Sequence, residues 1–472
     1  MEGKKFFVTI KNVGYALFAN GVSLIVSIIA TLIVPKAMSP VDYGYWQIYI
    51  LYITYLGFFH FGLQDGIYLR YGGTQWQELD FPLLHSQVVF LTIMELAVGG
   101  LILGISTFLV ADANKQFVWL IFAVSCVVYL VENLLNFMLQ MTNRIQEYTR
   151  ITLTDRIVYG ILLIIILVFA ANGHGDFRLI LLADIIGHGI GLVQGCWQCR
   201  EIIFCSSISL QDTLGEAKKN FSVGLKLLTA NLAGLFVVGV VRFFIEAHWD
   251  VVTFGKASLA LSLCNFILTF LTAVGTVLFP ALRRVSKREL SDFYRVFDTG
   301  ILLLVFALLG IYQPMCFIIK LWIPAYSISL RYLALLFPLC VFESKAAMLT
   351  TTYLKVLRQE RALMFINILA VLVSAVTGWI AVFLLNSLEM AMLAILCGSA
   401  CRCILSECCL HKVLSVPIAS NLLWEVFLAI SFVALNWRFL GLRALLPYGG
   451  LYLFFLLSNR QYFAGLKRSL MR

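Results

Sequence analysis

The sequence predicts an all-α integral membrane protein with about fourteen transmembrane helices. Three observations carry this: bulk composition, the division of the chain into apolar runs, and a charge bias between alternate connectors. Of 472 residues, 61% are hydrophobic and only 13% charged. So little polar side chain cannot cover a soluble globule of that length.

A helical crossing needs roughly 20 apolar residues. Such runs fall at 12–34, 44–61, 86–110, 117–141, 157–171, 179–196, 221–241, 252–279, 297–319, 332–354, 362–385, 390–410, 417–435 and 444–457. The first is too long for a cleavable signal peptide and lacks a small-residue cleavage pattern, so it is expected to stay as helix one. The second opens at Tyr43-Gly44. Asp112 and Lys115 part the third run from the fourth, and a Gly/His connector, Gly173-His174-Gly175, parts the fifth from the sixth. The seventh and eighth meet at Asp250, and a basic stretch containing Arg283, Arg284, Lys287 and Arg288 precedes the ninth. Arg358 and Arg361 separate the tenth from the eleventh, and Pro417 opens the thirteenth. The fifth and last runs are short. A β-barrel would show strands of about ten residues with alternating polarity, and the sequence has no such pattern.

The formal net charge is +10. With the amino terminus inside, the inner connectors receive Lys4, Lys5, Lys11, Arg144, Arg150, Arg156, Arg200, Lys218, Lys219, the basic stretch from Arg283 to Arg295, Lys355, Arg358, Arg361 and the tail from Arg460 to Arg472. The outer ones hold mainly Lys36, Lys115, Arg178, Arg242, Lys320, Arg331, Arg438 and Arg443. This is the positive-inside pattern with both termini cytoplasmic. The charge is thus topological, and no nucleic-acid partner is expected. Twelve cysteines, including Cys196/Cys199 and Cys401, Cys403, Cys408 and Cys409 near His411, lack paired knuckle spacing. They read as packing residues, with no metal site and no disulfide expected.

An internal repeat appears at one constant shift. Ala19-Asn20 in the first run matches Ala230-Asn231 in the seventh, 211 residues on, and the same shift pairs Tyr43-Gly44 with Phe254-Gly255, Glu132 with Glu343, and Arg144 with Lys355. Six runs, an even number, fit within the shift, so the repeat is parallel. Three segments follow: an N-lobe over 1–200 with helices one to six, a C-lobe over 201–412 with helices seven to twelve, and 413–472 with two further helices and a cytoplasmic tail. The longest connectors, 64–85 and 199–220, are expected to be cytoplasmic loops. No outer loop is large enough to fold as a catalytic domain, which weighs against a membrane glycan polymerase or ligase.

Ionisable groups at membrane depth cost several kcal/mol and demand partners or a wet cavity. Glu95, Glu132, Asp184, His188, Glu343, Lys345, Glu407 and Glu425 are such groups. Glu132 and Glu343, related by the repeat, are candidates for proton or ion coupling; neutral hydrogen-bonded carboxyls serving packing are the alternative. Asp184 and His188, at i and i+4 on one helix face, could relay a proton or simply bond to each other. Arg70, Lys345 and Arg242 are candidate cations for an anionic substrate, because guanidinium offers planar bidentate phosphate contacts; snorkelling explains Arg70 and Arg242 equally. Asn20 and Asn231 could line a cavity or bond between helices. Gly187, Gly189, Gly191 and Gly195 form a close-packing series. There is no Gly-x-x-x-x-Gly-Lys-Ser/Thr loop and no Gly-x-Ser-x-Gly elbow, so no cofactor and no enzymatic chemistry are expected.

Leu32-Ile33-Val34-Pro35-Lys36-Ala37-Met38-Ser39-Pro40-Val41-Asp42-Tyr43-Gly44, the Phe61-Gly62-Leu63 to Gly73 stretch, and Val241-Arg242-Phe243-Phe244-Ile245 leading to Phe254-Gly255 resemble the polysaccharide-biosynthesis exporters, the Wzx-like O-antigen flippases of the multidrug/oligosaccharidyl-lipid/polysaccharide (MOP) superfamily. Val241 stands where that family often carries an acidic residue. The resemblance implies a MATE-like pair of six-helix lobes that moves an undecaprenyl-diphosphate-linked oligosaccharide across a bacterial inner membrane by alternating access. The implied partners are that substrate, membrane lipids and polysaccharide-assembly proteins. A cationic cavity, as in the family, would suit Arg70 and Lys345. A MATE-like small-molecule exporter shares the plan but favours an acidic cavity, and Glu132 and Glu343 keep it in view.

Overall fold

The structure, a computed structural model, describes residues 18–19, 21–170, 175–282, 287–414, 419–439 and 441–458. Among them there is no strand, only an isolated bridge pairing Met38 with Gly175. Among the described residues nine helices are long and apolar enough to cross a bilayer, ten if one bent pair counts as a span. The chain is a multi-pass helical membrane protein. It divides into two compact units, Met1–Leu232 and Ala233–Arg472.

The first unit holds α1 (Gly21–Ala37), α2 (Pro40–Thr54), α3 (Leu63–Tyr71), α4 (Phe81–Leu109), α5 (Ala113–Met141), α6 (Ile145–Phe169), α7 (Phe177–Gln198) and the first part of α8 (Leu210–His248). The Ser39-Pro40-Val41-Asp42 stretch is a helix start. Ser39 caps α2 by accepting the Asp42 amide at 3.1 Å, and Pro40 fills the first helical position, where its missing N–H costs nothing. The run 44–61 is not one helix: α2 stops at Tyr55, a tight turn follows over Leu56–Phe58, and Phe61 (φ 47°) and Gly62 (φ 88°) redirect the chain into α3. Gly62 takes a left-handed φ that L side chains avoid. It also packs on α8 so closely that a Cβ there would meet the Leu225 amide nitrogen at 2.5 Å.

The connector 199–220, expected to be a loop, is largely helical. Arg200–Ile203 forms one turn, and α8 starts at Leu210 and runs for 39 residues. Its polar first turns dock on α4, where Gln87 donates to the Thr213 carbonyl at 3.0 Å and Ser86 accepts the Ile208 amide at 2.9 Å. The fifth predicted run likewise extends backwards. α6 starts at Ile145 and brings Asp155 and Arg156 inside a helix whose first half is polar, with Gln146, Glu147 and Arg150, and whose second half is apolar.

The second unit contains the end of α8, then α9 (Val251–Leu282), α10 (Lys287–Leu309), α11 (Tyr312–Trp322), α12 (Ser327–Leu336), α13 (Leu339–Val356), α14 (Glu360–Trp379), α15 (Leu388–Leu414), α16 (Ala419–Arg438) and α17 (Leu445–Ser458). Asp250 caps α9, accepting the Val252 and Thr253 amides at 3.1 and 3.3 Å, and the Thr253 hydroxyl bond holds its carboxyl below the ordinary range. The run 332–354 is a broken span: the chain bends by 51° between Leu336 and Leu339, at Pro338, which cannot continue the hydrogen-bond ladder. A single π-helical turn, Ala346–Thr350, interrupts α13 directly after Lys345.

Within each unit a glycine brings neighbouring helices together. Gly187 of α7 lies where a Cβ would be 3.0 Å from the Asp155 carbonyl, and Gly398 of α15 lies where it would be 2.7 Å from Cβ of Ser374 in α14. These positions obey the same 211-residue shift. Gly191 and Gly195 extend the face on α7, whereas Gly189 looks into open space. The cysteines are all unpaired, and Cys126, Cys199, Cys264, Cys340 and Cys403 are buried among helices.

Candidate functional site

Small residues on α7 let α5 and α6 close around a polar core in the first unit. His188 of α7 is bound on one side to Glu132 of α5, Nδ1 to Oε2 2.6 Å, and on the other faces Asp155 of α6, Nε2 to Oδ1 3.8 Å. Gly191, one turn further on, leaves room for the Glu132 carboxyl, since a Cβ there would be 2.6 Å from Oε1. The Tyr129 ring lies against the imidazole with centroids 3.6 Å apart. Arg156 follows with Nε 3.7 Å from Asp155 Oδ2. Glu132, Asp155 and His188 line a cavity of about 460 Å³ together with Asn133, Asn136, Gln140, Thr152 and Arg156.

Imidazole titrates closest to neutrality and has two distinct nitrogens. All three face the cavity and the imidazole stands between the two carboxyls, so a proton taken up on one ring nitrogen can be given up from the other. The same three side chains bring ligand atoms within 4.8 Å of one another, as do Cys403, Glu407 and Glu425 in the second unit. Asp184, expected to act with His188, turns instead to two phenols: Tyr49 donates to its Oδ2 at 2.8 Å, and Tyr129 donates to the same oxygen.

The second unit encloses a denser charge group. Lys345 of α13 is 1% exposed. Its ammonium donates to Glu425 of α16 and forms ion pairs with Asp298 of α10, at 2.7 Å, and Glu407 of α15. Asn421 donates to the other Asp298 oxygen at 2.7 Å, and the Cys403 thiol lies 3.6 Å from Glu407 Oε1. Lys345, expected from the sequence to meet a diphosphate, is thus committed to carboxylates. Next to it Glu343 pairs with Arg402 of α15, which also donates to the Gly234 carbonyl at 3.1 Å. Arg402 is related to Gly191 by the 211-residue shift, as Glu343 is to Glu132. One copy leaves space for the carboxyl at this position and the other supplies a cation.

Arg70, in the last turn of α3, donates to Glu216 at 2.6 Å and to Asn220 at 2.5 Å, both on α8. Tyr71 and Lys219 also bind Glu216, at 2.8 and 3.3 Å. Arg242 of α8 is buried, with its guanidinium carbon 5.9 Å from the Phe254 ring centre. Asn231 is exposed on α8, and Asn20 lies outside the described residues. Glu95 is fully buried, and neither carboxyl oxygen has a hydrogen-bond partner among the described residues.

Four participants escaped the sequence reading. Asp155 and Arg156 fell just before the predicted fifth run, Asp298 at the edge of the ninth and Arg402 inside the twelfth. A fifth run too short to span, preceded by an acid and a base, was the signal available for the first two.

No family model matches the chain, and no curated protein matches it in sequence. Solved structures do. The chain superposes on the lipid II flippase MurJ in an inward closed conformation with a TM-score of 0.69 at 14% identity, covering 98% of this chain and 100% of that one. It superposes on an inward-facing MATE-family multidrug transporter of the MOP superfamily with 0.58 at 12% identity, covering 88% and 94%. A mutant of the Vibrio cholerae MATE transporter VcmN gives 0.55 at 14% identity, covering 86% and 96%. The likeness is one of fold, shared with the flippase and the two MATE transporters.

Proposed function

We propose that this chain flips an undecaprenyl-diphosphate-linked oligosaccharide, a polysaccharide repeat unit, across a bacterial cytoplasmic membrane by alternating access, without covalent chemistry of its own. In this reading about fourteen crossings form two pseudo-symmetric six-helix lobes, 1–200 and 201–412, with two more helices in 413–472 and both termini cytoplasmic. The observation that supports it most is the end-to-end likeness of fold to a lipid flippase, which takes in 98% of this chain where the MATE structures take in 88% and 86%.

Arg70 and Arg242 are the cations assigned to the diphosphate, since guanidinium stays charged at membrane depth and can contact phosphate with two N–H groups. Asn20 and Asn231 add polar cavity contacts. Lys345 enters through its carboxylates. Glu132, Asp184 and His188, and Glu343 with Arg402, are assigned to ion or proton coupling. A second reading, export of small cationic molecules, is favoured by one observation: the cavity of the first unit presents the carboxyls of Glu132 and Asp155.

Proteoliposomes holding the full-length protein and a fluorescent undecaprenyl-diphosphate oligosaccharide separate the two. Flippase action moves the sugar to the leaflet open to a membrane-impermeant quencher; pumping of a cationic dye with no sugar movement would replace the flippase reading by the exporter. In the same assay Glu132→Gln, which leaves His188 without its carboxylate, is expected to slow transport about 10-fold and flatten its dependence on pH or Na⁺. An unchanged ion dependence would leave Glu132 as a packing group.

Arg70→Ala is expected to lower sugar movement several-fold at normal membrane levels, because Glu216 keeps Tyr71 and Lys219. Full transport by that variant would reduce Arg70 to a clamp between α3 and α8.

A further inference from the structure

The Lys345 group carries an imbalance of charge that its surroundings cannot tolerate. Three carboxylates, Asp298, Glu407 and Glu425, meet one ammonium, and all four side chains are at most 3% exposed. If every acid were ionised the group would bear two uncompensated negative charges. Among the described residues, the other titratable groups facing it, Tyr294 of α10 and Cys403 of α15, are neutral in their ordinary forms and supply none of the missing positive charge. Uncompensated charge at this depth is disfavoured by far more than the protonation of an acid. Carboxyls so placed take up protons instead.

The hydrogen bonds indicate which ones. Asp298 accepts a hydrogen bond from the Asn421 amide on Oδ2 and holds its Oδ1, which has no hydrogen-bond partner among the described residues, in an ion pair 2.7 Å from the Lys345 ammonium, so each of its oxygens faces a donor or a positive charge. Glu407 and Glu425 each turn one oxygen to Lys345, while Oε2 of each is buried with no hydrogen-bond partner among the described residues. A bare carboxylate oxygen in that position is worse than a neutral hydroxyl. A metal cation is not the natural occupant, because the ammonium already stands where the three carboxylates converge. The helix carrying Lys345 is also the discontinuous one, with the Pro338 bend before it and the π turn after it, and irregular helices at membrane depth accompany ion sites and hinges.

We propose that the Asp298–Lys345–Glu407–Glu425 group is a proton-binding site that holds two protons, on Glu407 and Glu425, in the conformation seen here. Each arrives from water, hydronium giving its proton to a carboxylate oxygen and leaving as water. Straightening of the α12–α13 bend would admit water and return them. The inference stands apart from the identity of the cargo, and so does its test.

Infrared difference spectra of the full-length protein in lipid nanodiscs at neutral pH read protonated and ionised carboxyls separately. Glu407→Gln and Glu425→Gln, close in shape to the neutral acids, are each expected to remove one carboxyl's worth of the protonated-acid carbonyl band and none of the carboxylate band. The double variant removes two, and Asp298→Asn removes carboxylate signal instead. If the double variant fails to insert, the single variants still give the count. Loss of carboxylate signal from the Glu variants would overturn the proposal. So would stoichiometric binding of radioactive Na⁺ abolished by the same changes, which would make the occupant sodium.

Discussion

Lys345→Met is expected to prevent accumulation of folded protein, or to lower its thermal unfolding temperature in detergent sharply. Removing one partner of a buried charge group costs about 3–5 kcal/mol, because the carboxylates left behind are neither hydrated nor paired. Here the Asp298 carboxylate loses its counter-charge, and the neutral Glu407 and Glu425 lose their common partner, at once. The variant distinguishes a substrate-binding lysine from a structural and ionic one. A lysine lining an open cavity could be replaced with normal insertion and lost transport, and that outcome would mean that Lys345 leaves its carboxylates during the cycle. Combining Lys345→Met with Asp298→Asn is expected to restore much of the lost stability, since the one ionised pair is then removed together.

The second large effect is expected at Gly66. α3 and the start of α8 approach so closely that a Cβ at Gly66 would fall on the Asn220 backbone carbonyl, and one at Gly224 would fall on the carbonyl of Gly62. Backbone atoms cannot rotate aside as a side-chain tip can. Gly66→Ala or Gly224→Ala therefore forces the helices apart, by about 1–3 kcal/mol or more, and carries away the bonds of Arg70 to Glu216 and Asn220. Thermal unfolding and protease sensitivity in the 60–75 region measure it. Gly215→Ala is the control: it lies on α8, the helix of Gly224, with nothing within 4 Å of the added carbon, and is expected to be neutral or stabilising by up to about 1 kcal/mol. Equal behaviour of Gly66→Ala and Gly215→Ala would show that the contact yields easily.

Hydropathy made the helical class and most apolar spans legible, because each span is a local property of about twenty residues. What it could not show is pairing. Lys345 stood out as a lysine at membrane depth, but Asp298, Glu407 and Glu425 come from three other helices, and nothing local announces that they converge. Arg402 was overlooked because a window average absorbs one cation, and only the fold brings it to Glu343. The first turns of α8 are amphipathic and polar, so they read as a connector although they dock on α4. Asp184 and His188 share a helix face, yet the stronger partners were across the interface: two tyrosines for one and Glu132 for the other.

The Lys345 group also dictates an order of biosynthesis. A helix with a charged residue near its middle partitions poorly into lipid, by about 2.5–3.5 kcal/mol for lysine or aspartate on insertion scales. Asp298 has already been made when α13 emerges, but Glu425 lies 80 residues further along. At about 5–20 residues per second, the ribosome needs some 4–16 s to deliver it. For that interval α13 has Asp298 but lacks the Glu407 and Glu425 carboxyls that complete the group, and the translocon or an insertase must shelter it until α15 and α16 arrive. Slow codons or a truncation between residues 357 and 425 would strand the lysine in the bilayer, marking the chain for degradation before any question of transport arises.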